Sequence, residues 1–395
     1  MAYIKMAAVC AASLVLTHAF AAGTDARRGA DVDASKFDEN MAVAKAKRQG
    51  AMKWINGRDL PLEGKAFSDV AMWYDRLPSN VTHNVNAGVR NLKRDSAGMQ
   101  FRFSTDSGRL SFRWTCVSKR TSMGHMPATG VSGIDVYRRD KASGKWRFVK
   151  TGRISGTRGA LDIDWNPGDE CLVNLPLYNG IAGFSLGIEP SAQVKPLPPR
   201  SGGNCKPVVF YGTSITQGAC ASRPGMSFVN IVGRELDVPV VNLGFSGSGV
   251  MEAEMSDHLA AIDASCYVLD CLWNMGETKS TPKKGRNVDE NYERFIRNLR
   301  AKRPDVPIVM AGKSDVFGGP ADPRELYVKA LYGKLKAEGW RNIVFLPGEG
   351  MYPADGEGSV DGVHPNDYGM MFLARAYGAA VKLALSGAAL DNIHP

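Results

Sequence analysis

The hydrophobic period of the chain changes at a segment rich in Pro and Gly, residues 195–203, and this change limits the folds open to it. From about residue 60 to 190, short stretches alternate apolar with polar residues and are separated by Gly, Pro and Asp. This pattern predicts a β-sandwich of the jelly-roll type. After residue 203, short apolar runs alternate with segments of helical periodicity. They predict an α/β domain with a parallel sheet covered by helices on both faces.

The individual elements follow from the same patterns. The strands predicted for the sandwich are 99–103, 109–114, 133–137, 146–150, 160–163, 170–175 and 183–188. The first two flank Asp106, Ser107 and Gly108, which predicts a hairpin. The strands predicted for the second part are 208–211, 238–243, 267–272, 306–311 and 343–346, with helices at 228–236 and 367–385 among others. Because 395 residues exceed the usual size of one core, we expect two domains, 23–195 and 205–395, joined by a linker at 196–204.

Charge and hydropathy restrict the partners of the chain. The formal charge is +9, but basic and acidic residues are interleaved and no basic run contains aromatic residues, so we do not expect nucleic-acid binding. Residues 1–22 have the pattern of an export signal: Lys5, an apolar stretch over 6–16, and a small-x-small site ending at Ala21. The stretch is too short to span a bilayer and no later run is longer, so we expect no stable membrane insertion and a periplasmic or extracellular protein. The oligomeric state is left open.

Cysteines add little to this assignment. Loss of the signal would leave six, namely Cys116, Cys171, Cys205, Cys220, Cys266 and Cys271. An even number in an oxidising compartment permits disulfides, and whether any forms stays open. Cys266 and Cys271 bracket a predicted strand, where a spacing of five places them on opposite faces and too far apart to bridge. No CxxC or HExxH motif is present, so we predict no metal site.

Two motifs supply a candidate nucleophile and base. Ser214 follows the first predicted strand of the second part, within Gly-Thr-Ser-Ile-Thr, where its hydroxyl can face solvent at the carboxyl end of the sheet. The alternative is that Ser214 only caps a helix. His364 lies in Asp-Gly-Val-His-Pro-Asn before the last helix, and Asp361 can reach back to its Nδ1. The alternative is that this motif forms only a turn in which His364 is exposed.

Two further motifs lie at strand ends. The Gly-rich run 244–249 follows the second strand, and Asn274 follows the third. The glycines allow close approach of the backbone to a ligand, or simply a turn. The Asn274 amide can donate to an oxyanion, or it can simply close a turn.

The order Ser, Gly, Asn, Asp-x-x-His resembles the SGNH (GDSL-like) hydrolase superfamily over residues 204–390. The resemblance implies a flavodoxin-like three-layer fold and a serine esterase without cofactor or metal. It implies Ser214 as nucleophile, His364 and Asp361 as its triad partners, and an oxyanion hole formed by Ser214, Gly247 and Asn274. Thr213 replaces the usual Asp of the first block, and the third block lacks the common Gly-x-Asn-Asp spelling.

The first part also resembles a known domain, because Gly-Ile-Asp-Val-Tyr at 133–137 is similar to the GxDLY motif of a bacterial SGNH branch. This implies an esterase acting on acetylated carbohydrate or another small ester. The sandwich would then border the active site or serve as a structural partner. Arg223, Met226 and Trp273 are candidate substrate-binding residues, whereas Glu252 is expected to be solvated. A lipid esterase or thioesterase of the same fold, and a non-catalytic carbohydrate-binding protein, remain alternatives.

Overall fold

The computed structural model describes residues 50–82, 84–277 and 285–387, and the expected export signal lies outside them. The described strands are β1 (Lys53–Asn56), β2 (Leu62–Glu63), β3 (Gln100–Thr105), β4 (Arg109–Cys116), β5 (Asp135–Arg139), β6 (Trp146–Thr151), β7 (Arg153–Ser155), β8 (Arg158–Asp164), β9 (Glu170–Asn174), β10 (Ile181–Ile188), β11 (Val194–Pro196), β12 (Val208–Gly212), β13 (Val240–Gly244), β14 (Cys266–Asp270), β15 (Ile308–Ala311) and β16 (Ile343–Leu346). The described helices are α1 (Ala87–Leu92), α2 (Ala128–Val131), α3 (Ser214–Gln217), α4 (Phe228–Glu235), α5 (Ala253–Ala260), α6 (Val288–Lys302), α7 (Pro323–Ala337) and α8 (Asp367–Ser386).

Strands β1 to β11 form two antiparallel sheets that pack face to face, so the predicted β-sandwich is confirmed. One sheet has the order β1-β10-β4-β8-β7, and the other has the order β11-β3-β9-β5-β6, with β2 beside β3. Alternate residues point between the sheets, as the alternating pattern requires. Phe101 of β3 and Phe184 of β10 meet across this core with ring centroids 4.6 Å apart.

The hairpin predicted at Asp106-Ser107-Gly108 is wrong. The flanking strands β3 and β4 belong to different sheets: β3 pairs with β9 and β11, whereas β4 pairs with β8 and β10. The turn carries the chain from one sheet to the other. It is held there by long-range contacts, since Glu189 accepts from the Gly108 N–H at 2.8 Å and Asp106 accepts from the Gln193 N–H at 2.7 Å.

Strands β12 to β16 form a parallel sheet in the order β13-β12-β14-β15-β16, which is the flavodoxin-like order expected. Their residues are buried on both faces, except for Phe345 and Leu346 of β16, which are half-buried. One face packs against α5, α6 and α7, and the other against α4 and α8. The chain order reverses around β12, so a crevice opens at the carboxyl ends of β12 and its neighbours.

The segment between the two parts is tied down along its length. Strand β11 pairs with β3. Arg200 is buried, and its guanidinium binds Glu63 at 2.7 Å and the Gln100 side chain at 2.9 Å. Helix α1 also reaches the α/β layers, because Val85 and Val89 join the apolar core between the parallel sheet and its helices. The described residues, 50–82, 84–277 and 285–387, therefore belong to one compact unit.

Within the described ranges, none of the helices combines the length and the apolar character needed to cross a bilayer. All six cysteines outside the first 49 residues carry free thiols in the structure, and Cys205 is the exposed one.

Candidate active site

The chain turns sharply between β12 and α3, and Ser214 stands at that turn. Thr213 is the residue that caps α3, since its hydroxyl accepts from the Ile215 N–H at 3.2 Å. Ser214 is the first residue of the helix, so capping does not occupy its hydroxyl. Only Gly fits at position 212, because a Cβ there would lie 2.1 Å from the Thr216 hydroxyl oxygen. The tight turn leaves the Ser214 side chain almost buried yet directed toward the sheet edge.

His364 meets Ser214 across 150 positions of sequence. The Ser214 Oγ lies 2.9 Å from His364 Nε2, and His364 Nδ1 lies 2.7 Å from Asp361 Oδ2. The second oxygen of Asp361 accepts from the backbone N–H groups of Val363 and His364, at 3.1 and 2.8 Å. Partial burial alone would raise the pKa of Asp361, but these hydrogen bonds and the imidazole hold it below its usual value. The carboxylate thus stays ionised and orients the ring.

The loop that carries His364 is fixed at several points. The Tyr352 hydroxyl donates to the Val363 carbonyl at 2.8 Å, and the Ser359 hydroxyl donates to the His364 carbonyl at 3.1 Å. Asn366 then caps α8, accepting from the Gly369 N–H at 3.0 Å. The imidazole therefore has a defined position relative to the first turn of that helix.

Gly247 and Asn274 both lie at this edge of the sheet. Gly247 is exposed and has a φ of +64°, in the region that favours glycine. Among the hydrogen bonds within the described residues, none uses the backbone N–H of Ser214 or Gly247 as donor. Those two groups are available to an oxyanion. The Asn274 amide donates instead to the carbonyls of Phe245 and Gly249, both at 3.3 Å, so it would have to release one long hydrogen bond to reach a ligand.

Arg223, predicted to bind substrate, faces the sandwich. Its guanidinium binds Asp135 at 2.8 Å and the Tyr137 hydroxyl at 2.5 Å, and it lies 3.9 Å over the Phe148 ring. Asp135 also accepts from the Gly225 N–H at 2.8 Å. The GxDLY-like motif therefore clamps the loop that follows the nucleophile, an arrangement that the sequence alone did not reveal.

The remaining candidates have mixed surroundings. Met226 is half-buried against the core beside α4 and α8. Trp273 is half-buried, donates to the Ser314 hydroxyl at 2.8 Å and is covered by the Lys313 ammonium at 3.9 Å. Glu252, expected to be solvated, is half-buried and accepts from the backbone and side chain of Asn86, both at 2.8 Å, so that expectation is wrong.

The sandwich also contacts the nucleophile turn itself. The Tyr178 hydroxyl donates to the Ser214 carbonyl at 3.1 Å. The Gln217 amide donates to the Leu177 carbonyl at 3.1 Å, which fixes the other end of α3. On the side of the parallel sheet, the Thr216 hydroxyl donates to Asp270, the buried last residue of β14, at 2.7 Å. No local sequence signal identifies such long-range supports.

One exposed aromatic residue borders the catalytic loop. Phe317 is 75% exposed, and its ring lies against Gly362, where an added Cβ would be 3.2 Å from two ring carbons. Gly362 directly follows Asp361. An apolar ring open to solvent thus lies directly beside the loop that carries Asp361 and His364.

The family assignment agrees with this geometry. Residues 205–382 match the model of the GDSL-like lipase/acylhydrolase family. Residues 52–194 match the GxDLY model, described as the N-terminus of SGNH-hydrolase-type esterases. The chain therefore combines a GxDLY domain with a domain of the GDSL-like lipase/acylhydrolase family. This GDSL-like chain is therefore an ester hydrolase, and its first part is the GxDLY domain that accompanies such enzymes.

Solved structures show the same architecture. A putative GDSL-like lipase from Bacteroides ovatus is 28% identical, with a TM-score of 0.73, over 85% of this chain and 98% of that one. The salicylyl-acyltransferase SsfX3 of a tetracycline biosynthetic pathway is 17% identical, with a TM-score of 0.65 and the same coverage. A family two carbohydrate esterase from Clostridium thermocellum, solved with cellohexaose, is 16% identical, with a TM-score of 0.53, over 74% and 94%. No curated protein matches the chain.

Proposed function

We propose that this GDSL-like hydrolase is an exported serine esterase that removes short acyl groups, acetyl above all, from polysaccharides or oligosaccharides. The observation that carries the proposal is the continuous contact from Ser214 Oγ to His364 Nε2 and from His364 Nδ1 to Asp361. An imidazole held between a hydroxyl and an ionised carboxylate is the arrangement that makes a serine nucleophilic.

The proposed mechanism follows from these contacts. Asp361 keeps the Nδ1 proton on His364, so Nε2 accepts the Ser214 proton as the hydroxyl attacks the ester carbonyl. His364 then donates that proton to the leaving alcohol. In the second half of the reaction, water attacks the acyl-enzyme, His364 accepts its proton, and the acid leaves. Apart from the ester and water, these steps use only Ser214, His364 and Asp361.

The oxyanion is assigned to the N–H groups of Ser214 and Gly247 and to the Asn274 amide. Two of these donors are backbone groups without a partner among the described residues, so they need no rearrangement. Asn274 has to exchange one of its 3.3 Å contacts for the ligand. A donor aimed at the developing charge contributes about 10²–10³ in rate.

A carbohydrate substrate is favoured by the surroundings of the triad. The exposed Phe317 ring beside Gly362 offers a flat apolar face to one side of a sugar ring. The likeness to a carbohydrate esterase solved with cellohexaose is consistent with this substrate class. Extracellular polysaccharide would be reached through the export signal expected at residues 1–22.

The test is hydrolysis of p-nitrophenyl acetate and acetate release from acetylated xylan, mannan and pectin. Ser214→Ala should abolish both activities while the far-UV circular dichroism and unfolding midpoint stay unchanged. Thr213→Ser, which keeps the capping hydroxyl, is the matched control and should retain activity. Wild-type rates in Ser214→Ala would contradict the proposal.

Two further outcomes would favour a different function. Faster hydrolysis of octanoyl than acetyl esters would favour a lipid esterase or thioesterase of the same fold. Failure of a fluorophosphonate probe to label Ser214 in the folded wild-type protein would favour a non-catalytic carbohydrate-binding protein.

A further inference from the structure

Three potential metal ligands from separate segments converge beside Ser214. They are His125 from the sandwich loop before α2, Cys220 from the turn after α3, and His364. Their ligand atoms all lie within 4.8 Å of one another, and the imidazole centroids of His125 and His364 are 5.8 Å apart. Ligands around a tetrahedral zinc ion, with Zn–N of about 2.0 Å and Zn–S of about 2.3 Å, are separated by about 3.3–3.8 Å. A shift of about 1 Å therefore closes the group around an ion.

The tautomer of His364 suits this role. With its Nδ1 proton directed at Asp361, the ring keeps the Nε2 lone pair, which faces Ser214, available to a metal ion. A carboxylate that orients a ligating imidazole through its other nitrogen is the usual surrounding of a zinc-bound histidine. The feature that makes His364 a base thus also makes it a metal ligand.

The other two ligands have no hydrogen bond within the described residues that an ion would have to displace. His125 is exposed and belongs to a short loop whose backbone is closed by the Met123–Met126 bridge. Cys220 is buried, and within the described part of the chain its Sγ has no hydrogen-bond partner. Two imidazole nitrogens and one sulfur select zinc over magnesium or calcium, which prefer oxygen ligands.

We propose that His125, Cys220 and His364 bind one zinc ion that reversibly inhibits the esterase. The ion occupies the Nε2 lone pair that otherwise accepts the Ser214 proton, so bound zinc and catalysis exclude each other. The fourth position is left to water or to the Ser214 hydroxyl. Coordination converts the Cys220 thiol to a thiolate, and its proton is released to solvent.

The cost of that deprotonation sets the expected affinity. Zinc binds the thiolate form of cysteine, so it has to displace the proton of the Cys220 thiol. We therefore expect weaker binding than at a preformed structural site, and an affinity that rises with pH. Such a site responds to changes in free zinc instead of retaining the ion permanently.

Titration calorimetry of the full chain with zinc chloride tests binding without any use of activity. We expect one ion per chain, with an observed enthalpy that changes with the ionisation enthalpy of the buffer because a proton is released. His125→Ala and Cys220→Ala should each weaken binding at least about tenfold, since even a residue that only supports a ligand contributes that much. His258→Ala, which removes a histidine paired with Glu254 on α5, is the matched control and should not change binding.

Two results would overturn the zinc site: no saturable binding by the wild-type protein, or equal affinity in wild type and His125→Ala. Position 125 is exposed, so His125→Ala is expected to fold even if Cys220→Ala does not. Ser214→Ala should still bind zinc, which keeps this test separate from the esterase proposal.

Kinetics supply the second readout. Zinc should inhibit p-nitrophenyl acetate hydrolysis by the wild-type protein, magnesium should not, and EDTA should restore the rate. His125→Ala should hydrolyse the ester at the wild-type rate and resist zinc at least about tenfold better. Equal zinc sensitivity in the two proteins would refute inhibition through this group.

Discussion

The clamp between the sandwich and the loop after the nucleophile is open to a quantitative test at Asp135. This carboxylate is completely buried and accepts three hydrogen bonds: Oδ2 from the Arg223 guanidinium and the Gly225 N–H, and Oδ1 from the Asn174 amide, each at 2.8 Å. Asp135→Ala removes both acceptor oxygens and with them all three hydrogen bonds. Arg223, whose side chain is only 18% exposed, then keeps its charge without a carboxylate partner.

The expected loss in the free energy of unfolding follows from the burial of Asp135 and Arg223. Removal of one member of a buried ion pair costs about 3–5 kcal/mol, because the remaining charge is left uncompensated. The Gly225 and Asn174 donors lose their acceptor too, which places the expected loss in the upper half of that range. Glu170→Ala on the neighbouring strand β9 is the matched control. Its pair with Arg139 is about one-third exposed on both sides, so its loss should cost about 0–1 kcal/mol.

Urea unfolding followed by tryptophan fluorescence measures both free energies. Asp135→Asn, which keeps one acceptor oxygen but loses the charge, should fall between Asp135→Ala and the wild type. If Asp135→Ala lowered the free energy of unfolding no more than Glu170→Ala, the clamp would contribute little to stability. The reasoning from burial would then be refuted.

Four more predictions concern the site and its support. Asn274→Ala should lower kcat about 10²–10³-fold with little change in KM, and an unchanged kcat would remove this amide from the oxyanion hole. Asp361→Asn keeps the acceptor for the two backbone N–H groups but not for His364 Nδ1, so kcat should fall about 10²–10⁴-fold in a protein of unchanged unfolding midpoint. Burial raises the pKa of Asp270 to about 7, above its value in the unfolded chain, so this group's contribution to stability is present below about pH 4 and is lost as the pH rises to 7. Asp270→Asn has no carboxyl group at this position and does not lose stability in this way. Its free energy of unfolding relative to wild type should therefore rise between pH 4 and 7, by at most about 1.4 kcal/mol per pH unit. A difference that did not change with pH in urea titrations would contradict the raised pKa of Asp270. Phe317→Ala should raise KM for acetylated oligosaccharides while leaving p-nitrophenyl acetate hydrolysis unchanged, and equal effects on both substrates would exclude a sugar-binding role.

Much of the fold was accessible from local patterns. Seven sandwich strands, the five parallel strands and helix α8 fall within a few residues of their predicted positions, because each has a clear hydrophobic period. The short strands β1, β2, β7 and β11 were not predicted. The hairpin at Asp106-Ser107-Gly108 failed for a physical reason. A short polar turn between alternating strands looks the same whether the strands pair with each other or enter different sheets. The difference lies in distant partners such as β8, β9 and β10.

The candidate site, like the fold, could be predicted from the sequence only in part. Ser214 and His364 could be singled out because each follows or precedes a recognisable element at the carboxyl edge of the sheet, and the structure brings their side chains together. The position of Arg223 could not be foreseen, since its partners Asp135 and Tyr137 lie almost 90 residues away. Nor could the burial of Glu252, because its partner Asn86 belongs to the other part of the chain.

The support that Tyr178 and Leu177 give to α3 bears on how such enzymes can diverge. A fragment starting at residue 205 would keep every residue of the triad, yet the Ser214 carbonyl and the Gln217 amide would lose their partners. If recombination exchanged one half of the gene between distant relatives, the turn that carries Ser214 would be combined with a sandwich domain from another protein. The residues that support α3 would then differ from the ones described above. The two halves are therefore expected to be inherited as a unit, with compensating changes arising on both sides of the boundary.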